Sequence, residues 1–216
     1  MINFVQKSVR EEKMRLWLIR HGETEANVAG LYSGHAPTSL TEKGVAQAHA
    51  LHHLLREVPF DQVLCSELER AQHTARLALY ERDIPTHTTP LLNEMYFGDW
   101  EMRHHRDLSR EDPESYAAWC SDWQNAIPTN GEGFQAFSQR VQHFIAELPR
   151  WSTAKNVLIV SHQGVLSLLI ASMLKMPAAS LWHFRVDQGT WSAVDIHDDF
   201  ATLRVLNSRA PWQKDE

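Results

Sequence analysis

The sequence predicts an α/β fold, and three observations carry that reading. Strand-like apolar runs alternate with stretches of helical period along the chain. Two of the runs, Leu16-Trp17-Leu18-Ile19 and Val157-Leu158-Ile159-Val160, are uninterrupted. Each delivers a histidine at its end, in Arg20-His21-Gly22-Glu23-Thr24 and Ser161-His162-Gln163-Gly164. In open α/β sheets ligands collect at the carboxyl ends of strands, so these two imidazoles are candidates for one site.

The elements follow in order. The first strand covers about Arg15 to Arg20, and a loop with Gly30, Gly34 and Pro37 follows. A helix is expected from about Glu42 to Arg56, where Val45, Ala48, Leu51 and Leu55 form a stripe before Pro59. Gln62 to Cys65 is a short strand, and Ser66-Glu67-Leu68-Glu69 reads as a capping box opening a helix to about Tyr80. A weak strand near Pro85 to Thr89 leads to Leu91-Leu92-Asn93-Glu94. The segment at about 95–130 is rich in Trp, His and charge, and reads as an excursion roofing the site. Asp112-Pro113 marks an N-cap and first turn there, with a helix to about Gln124. Phe134, Phe137, Val141, Phe144, Ile145 and Leu148 define an amphipathic helix. A strand over Asn156 to Ser161, a helix over about Gly164 to Leu174, and strands near Trp191 to Ile196 and Thr202 to Asn207 complete the chain.

No repeat, linker or low-complexity block divides the 216 residues, so residues 14–216 are expected to form one domain. Met1 to Lys13 reads as a disordered lead, or Met14 as the true start. The net charge of −6 argues against a general nucleic-acid binder, so an anion site here must be a local gathering of arginine. Two cysteines, Cys65 and Cys120, make no disulfide framework, and a reducing cytoplasm is expected. No apolar run is long enough to span a bilayer.

His21 is the candidate nucleophile. A neutral imidazole can attack phosphorus and hold the phosphoryl group, splitting one displacement into two. A guanidinium beside it disfavours the imidazolium. Arg20 and Arg70 are the candidate clamp, because a guanidinium presents paired N–H donors to two phosphoryl oxygens and keeps its charge. Phosphoryl transfer depends mostly on such positioning and charge stabilisation. His162 precedes a helix N-terminus where Gly164 permits close approach, a setting that favours an anion. Glu94 is the candidate general acid for the leaving oxygen, among the apolar neighbours Leu91, Leu92, Met95 and Phe97. Glu23, Asp99 and Glu101 are its alternatives. His49, His52 and His53 have helical spacing but no carboxylate to complete a metalloprotease motif, and read as a solvated face. His104-His105, between Arg103 and Arg106, suits an anionic or polar part of a substrate. Trp100, Trp119 and Trp123 are placed in the roof to stack on a flat ring.

Taken together, these residues resemble the histidine phosphatase superfamily, which includes cofactor-dependent phosphoglycerate mutase. The likeness runs through Leu18-Ile19-Arg20-His21-Gly22-Glu23-Thr24 with Asn27, Leu40-Thr41-Glu42-Lys43-Gly44, Ser66-Glu67-Leu68-Glu69-Arg70-Ala71, Leu92-Asn93-Glu94 and Val160-Ser161-His162-Gln163-Gly164. It implies a three-layer α/β/α fold with a mostly parallel sheet. It further implies a phosphohistidine on His21, a pocket of Arg20, Arg70 and His162, Glu94 as proton donor, and no metal or other cofactor. Within that superfamily the chain is similar to the α-ribazole phosphatases of bacterial cobalamin biosynthesis. That likeness lies in Leu31-Tyr32-Ser33-Gly34-His35-Ala36-Pro37, Asn93 to Glu101, Ile127 to Glu132 and Trp182 to Gly189. It implies a small phosphomonoester substrate, α-ribazole 5′-phosphate or adenosylcobalamin 5′-phosphate, with Asn27, Ser33, Gly34, Gln163 and Gly164 at the binding site. The alternatives are a phosphoglycerate mutase, a broad sugar or nucleotide phosphatase, and a non-catalytic binder of phosphorylated ligands.

Overall fold

The computed structural model describes residues 14–151, 153–198 and 200–213. The expected lead, Met1 to Lys13, lies outside them. One sheet contains six strands: β1 (Met14–Arg20), β2 (Gln62–Ser66), β3 (Thr86–Thr89), β4 (Asn156–Ser161), β5 (Trp191–His197) and β6 (Phe200–Ser208). Their order is β3-β2-β4-β1-β5-β6. β1, β4, β2 and β3 pair in parallel, and only β5 runs against both of its neighbours. The sheet is therefore mostly parallel.

Side chains alternate across a strand, which explains the unbroken apolar runs. In β1, Leu16 and Leu18 enter one core, whereas Trp17 and Ile19 enter the other. In β4 the same split separates Val157 and Ile159 from Leu158 and Val160. Helices cover both faces. α2 (Glu42–Leu55) and α3 (Glu69–Ala78) bring Leu51, Leu55, Ala71 and Ala75 to the Trp17 side. α6 (Phe134–Glu147) and α7 (Gln163–Met173) bring Phe137, Val141, Phe144 and Leu166 to the Leu16 side. Trp17 is fully buried and meets Phe60, Trp191 and Trp212 with ring centroids 5.2–5.9 Å apart. Truncating it to alanine would cost about 3–5 kcal/mol.

This layering opens the crevice. β1 and β4 are neighbours in register, with Arg20 opposite Ser161. The chain leaves β1 for α2 on one face and β4 for α7 on the other. Such divergence from adjacent parallel strands makes a cleft at their carboxyl ends. His21 and His162 are the first residues beyond those ends.

Several local expectations need correction. α1 (Glu25–Ala29) and α4 (His105–Glu111) form where none is expected, both too short to display a period. α1 carries a Thr24–Asn27 capping box and ends on Gly30 at φ 69°. The capping box expected at Ser66-Glu67-Leu68-Glu69 does not form. Leu68 is the N-cap of α3 and makes no side-chain cap, while Ser66 Oγ is engaged with Asn93 and His162. Asp112 stands at the N-cap of α5 (Pro113–Asp122) without capping it, and α5 ends before Gln124. The Asp112 carboxylate instead accepts from Trp100 Nε1 at 2.7 Å and Thr129 Oγ1 at 2.6 Å. Among the described residues no helix is long and apolar enough to cross a membrane.

Candidate active site

His21 extends the pairing of β1 and β4 by donating its backbone N–H to Ser161 O at 2.9 Å. Its side chain is 4% exposed, and Nδ1 lies 2.7 Å from Gly22 O. A carbonyl only accepts, so Nδ1 carries the proton and Nε2 keeps its lone pair. Burial, then the charges of Arg70 and Arg20, hold the imidazole well below its ordinary pKa, so the ring is neutral. Gly22 has a packing reason to be glycine: a side chain would strike the backbone of Gly44 at the start of α2.

Arg20 is half-buried and Arg70 is buried. Arg20 Nη1 donates to Gln163 Oε1 at 3.1 Å and Val186 O at 3.3 Å, while its buried Nε has no partner. Arg70 in the first turn of α3 is 3% exposed. Its guanidinium donates to Gly34 O at 2.6 Å, Ser33 O at 3.3 Å and Ala36 O at 3.4 Å. Burial lowers the pKa of both arginines, against the opposing pull of Glu94. The loop supplying those carbonyls is gathered by Glu101, whose carboxylate accepts from the backbone N–H of Gly34, His35, Ala36 and Phe97 at 2.9–3.0 Å.

His162 is fully buried, its ring centroid 5.1 Å from that of His21. It occupies the N-cap position of α7 but its side chain makes no cap. Nε2 lies 2.8 Å from Ser66 Oγ, and Nδ1 has no partner. Burial, then Arg70, His21, Arg20 and His35, hold this ring too well below its ordinary pKa.

Of the four candidate acids, Glu94 is the one in the wall of the cavity that Arg20 also lines. Its Oε2 accepts from Gly164 N at 2.9 Å and its Oε1 from Met95 N at 3.0 Å. Glu23 is taken by Lys43 and Thr41, Asp99 by Asn130, and Glu101 by the loop described above. Arg140 on α6 fixes the Glu94 segment by donating to the carbonyls of Pro90, Leu91, Asn93 and Glu94 while pairing with Glu132. Sequence reading missed Arg140, Ser66 and Asn93. A long-range guanidinium clamp leaves no local spacing signal.

The cavity that holds Arg20 and Glu94 measures about 490 Å³. Its apolar wall includes Trp119, Trp123, Phe134, Leu181, Trp182 and Phe184. Trp123 and Trp182 meet edge to face at 5.5 Å, and Trp182 is 69% exposed at the mouth. Trp100 departs from the expected roof role: it is fully buried against Tyr32, Tyr116 and Trp119. Arg103 to Arg106 do not line this cavity; Arg103 pairs with Glu111, and His104 caps α4. No group of His, Cys, Asp and Glu among the described residues has metal-holding geometry, and His49 and His53 are exposed on α2. A second cavity of about 620 Å³ between α3 and β3 contains none of the candidate residues.

The remaining binding candidates divide in two. Asn27 Oδ1 accepts from Thr24 N and Gln188 Nε2. Ser33 Oγ is buried without a partner, and Gly34 packs against Met95 O and Glu101, where a side chain would collide. Gln163 lines the cavity, yet its amide is spent on protein: Oε1 accepts from Arg20 and Val186, and Nε2 donates to Ser167 and Phe184. Gly164 has no side chain because the Glu94 carboxylate occupies that space.

Known proteins resemble this chain along most of its length. An adenosylcobalamin/alpha-ribazole phosphatase of Salmonella typhimurium is 76% identical over 93% of this chain and 99% of its own length. The crystal structure of a putative alpha-ribazole-5′-P phosphatase from Escherichia coli superimposes with a TM-score of 0.92 at 70% identity, covering 93% of this chain and 99% of that one. The alpha-ribazole phosphatase from Shigella flexneri gives 0.92 at 71% identity, covering 94% and 100%. Residues 16–209 match the sequence model of the histidine phosphatase superfamily (branch 1), and the chain belongs to that family.

Proposed function

We propose that this chain is a phosphomonoesterase of cobalamin biosynthesis, removing the 5′-phosphate of α-ribazole 5′-phosphate or adenosylcobalamin 5′-phosphate through a phosphohistidine on His21. The observation that carries the chemistry is the His21 Nδ1 contact with Gly22 O, which leaves Nε2 free on a neutral ring between two arginines. The high identity to adenosylcobalamin/alpha-ribazole phosphatases supports the substrate. So does an aromatic-walled cavity beside Arg20, sized for a flat heterocycle.

In the first step His21 Nε2 attacks phosphorus. Arg20, Arg70 and His162 contact the equatorial oxygens, with Asn27 and Ser33 at the edge of the pocket. Guanidinium groups already fixed by protein carbonyls need no reorganisation as charge moves to those oxygens. Glu94 protonates the leaving 5′-oxygen. Its carboxylate then takes a proton from water, which attacks the phosphohistidine and releases phosphate. Gln163 serves by holding Arg20, and Gly164 by making room for Glu94. Residues 14–216 act as one domain in the cytoplasm, with the 95–130 segment as the substrate-facing wall.

Rapid quenching of the wild type with labelled substrate should trap an alkali-stable phosphohistidine, and His21→Ala should trap none. Full turnover in His21→Ala would overturn the covalent route. Among phosphomonoesters, α-ribazole 5′-phosphate should give a higher kcat/KM than common nucleotide and sugar phosphates. Equal values would overturn the substrate.

A further inference from the structure

Ser66 has a single hydroxyl proton, and its neighbours determine where that proton goes. Asn93 Oδ1 accepts from the backbone N–H of Glu67 at 3.0 Å, which fixes the orientation of the amide. Ser66 Oγ lies 2.8 Å from the same Oδ1 and donates to it. Leu68 N–H donates to Ser66 Oγ at 3.1 Å. The hydroxyl has one acceptor position left and no proton to offer. His162 Nε2, at 2.8 Å, must therefore carry a hydrogen and donate it to Ser66. In the neutral ring that leaves the lone pair on Nδ1, the buried atom without a partner.

We propose that Asn93 and Ser66 are positioning residues that hold His162 as its Nε2–H tautomer, so that Nδ1 takes up a proton from solvent when a phosphate dianion enters. The proposal rests on the phosphoryl-site reading above. A lone pair facing an oxyanion repels it, and a phosphomonoester dianion carries no proton to offer it. Binding therefore forms one N–H bond on Nδ1, and the imidazolium donates to the oxyanion. The groups facing this ring in the empty site are Arg20 and His21 from the end of β1, Arg70 from α3 and His35 from the loop, with Glu94 on the neighbouring Gly164. Burial first, and then the surplus of positive charge, keeps the empty ring neutral. The arriving dianion reverses that balance. Burial makes each unpaired atom costly, so the fixed tautomer ties affinity to pH.

The test is ¹⁵N NMR of the histidine rings, with His162 assigned by loss of its signals in His162→Gln. At pH 8 the free wild type should show the Nε2–H tautomer. Saturating sulfate, a tetrahedral dianion that carries no proton at this pH, should protonate both nitrogens, and calorimetry in buffers of different ionisation heat should register uptake of about one proton per sulfate bound. Asn93→Asp keeps the acceptor and should keep the Nε2–H tautomer. Asn93→Leu frees the Ser66 proton to donate to Nε2 and should move the ring hydrogen to Nδ1, abolishing the proton uptake at His162. An Nδ1–H tautomer in the free wild type, or sulfate bound with His162 unchanged, would overturn this proposal alone. Failure of sulfate and inorganic phosphate alike to bind would overturn the phosphoryl-site reading with it. The wild-type spectra decide the matter even where Asn93→Leu does not fold.

Discussion

Glu94 Oε2 accepts the backbone N–H of Gly164 at 2.9 Å, and the other carboxylate oxygen fills the space where a side chain on that glycine would stand. An alanine Cβ there would come within 2.5 Å of Glu94 Oε1. The carboxylate is the end of a flexible side chain, so it yields while the backbone stays. Gly164→Ala should therefore change stability by less than about 1 kcal/mol. It should lower kcat by at least about tenfold, most for poor leaving groups, in parallel with Glu94→Gln. Thermal melts and a leaving-group series on both variants check this, and a loss uniform across leaving groups would contradict it.

The two buried imidazoles make stability depend on pH. Both rings have folded-state pKa values below 6.5, depressed first by burial and then by the arginines. As pH falls through about 6.5 the unfolded chain binds protons at these rings and the folded chain does not. Their contribution is thus fully present above pH 6.5 and is lost as pH falls below it. Tm should drop between pH 7.5 and 5, and the drop should be shallower in His162→Gln. A Tm flat over that range would contradict the assignment of neutral buried rings.

Glu101 is bound to the loop that receives Arg70. Glu101→Gln replaces a carboxylate accepting from four backbone N–H groups with an amide that presents its own N–H₂ to some of them. The expected loss is about 2–3 kcal/mol of stability, with a raised inhibition constant for inorganic phosphate as Arg70 loses its carbonyl anchors. Denaturant unfolding and phosphate inhibition measure both. Glu23→Gln, which disturbs only contacts to Lys43 and Thr41, should leave phosphate inhibition unchanged.

The aromatic wall should act on the leaving group alone. Trp123→Ala or Trp182→Ala should raise KM for α-ribazole 5′-phosphate by about three- to tenfold, the worth of one aromatic contact. Inhibition by inorganic phosphate should not change. Steady-state kinetics on that substrate and on a small phosphomonoester lacking a ring would separate the two effects.

The strand runs and their terminal histidines were open to sequence reading because burial on both faces writes itself as continuous hydrophobicity. β4 has the expected bounds, and β1 begins one residue earlier. Arg20, His21, Arg70 and His162 come together because each lies at, or within four residues of, the carboxyl end of a strand. Hidden from sequence were contacts that join distant segments. Ser66 reads locally as a helix cap, yet its hydroxyl answers to Asn93 and His162, 27 and 96 positions away. Trp100 reads as a stacking surface until Asp112 captures its indole N–H. Gln163 reads as a ligand contact until four protein partners use up its amide.

The divergence of the chain to opposite faces after β1 and β4 has a further consequence. Groups proposed to handle phosphorus stand on strand ends that also hold both cores together, so drift there is penalised twice, in folding and in turnover. The tryptophans that would grip the organic part of a substrate stand on short helices and turns that bear little of that load. Natural variation can therefore retune which alcohol is released while the phosphorus chemistry is inherited intact.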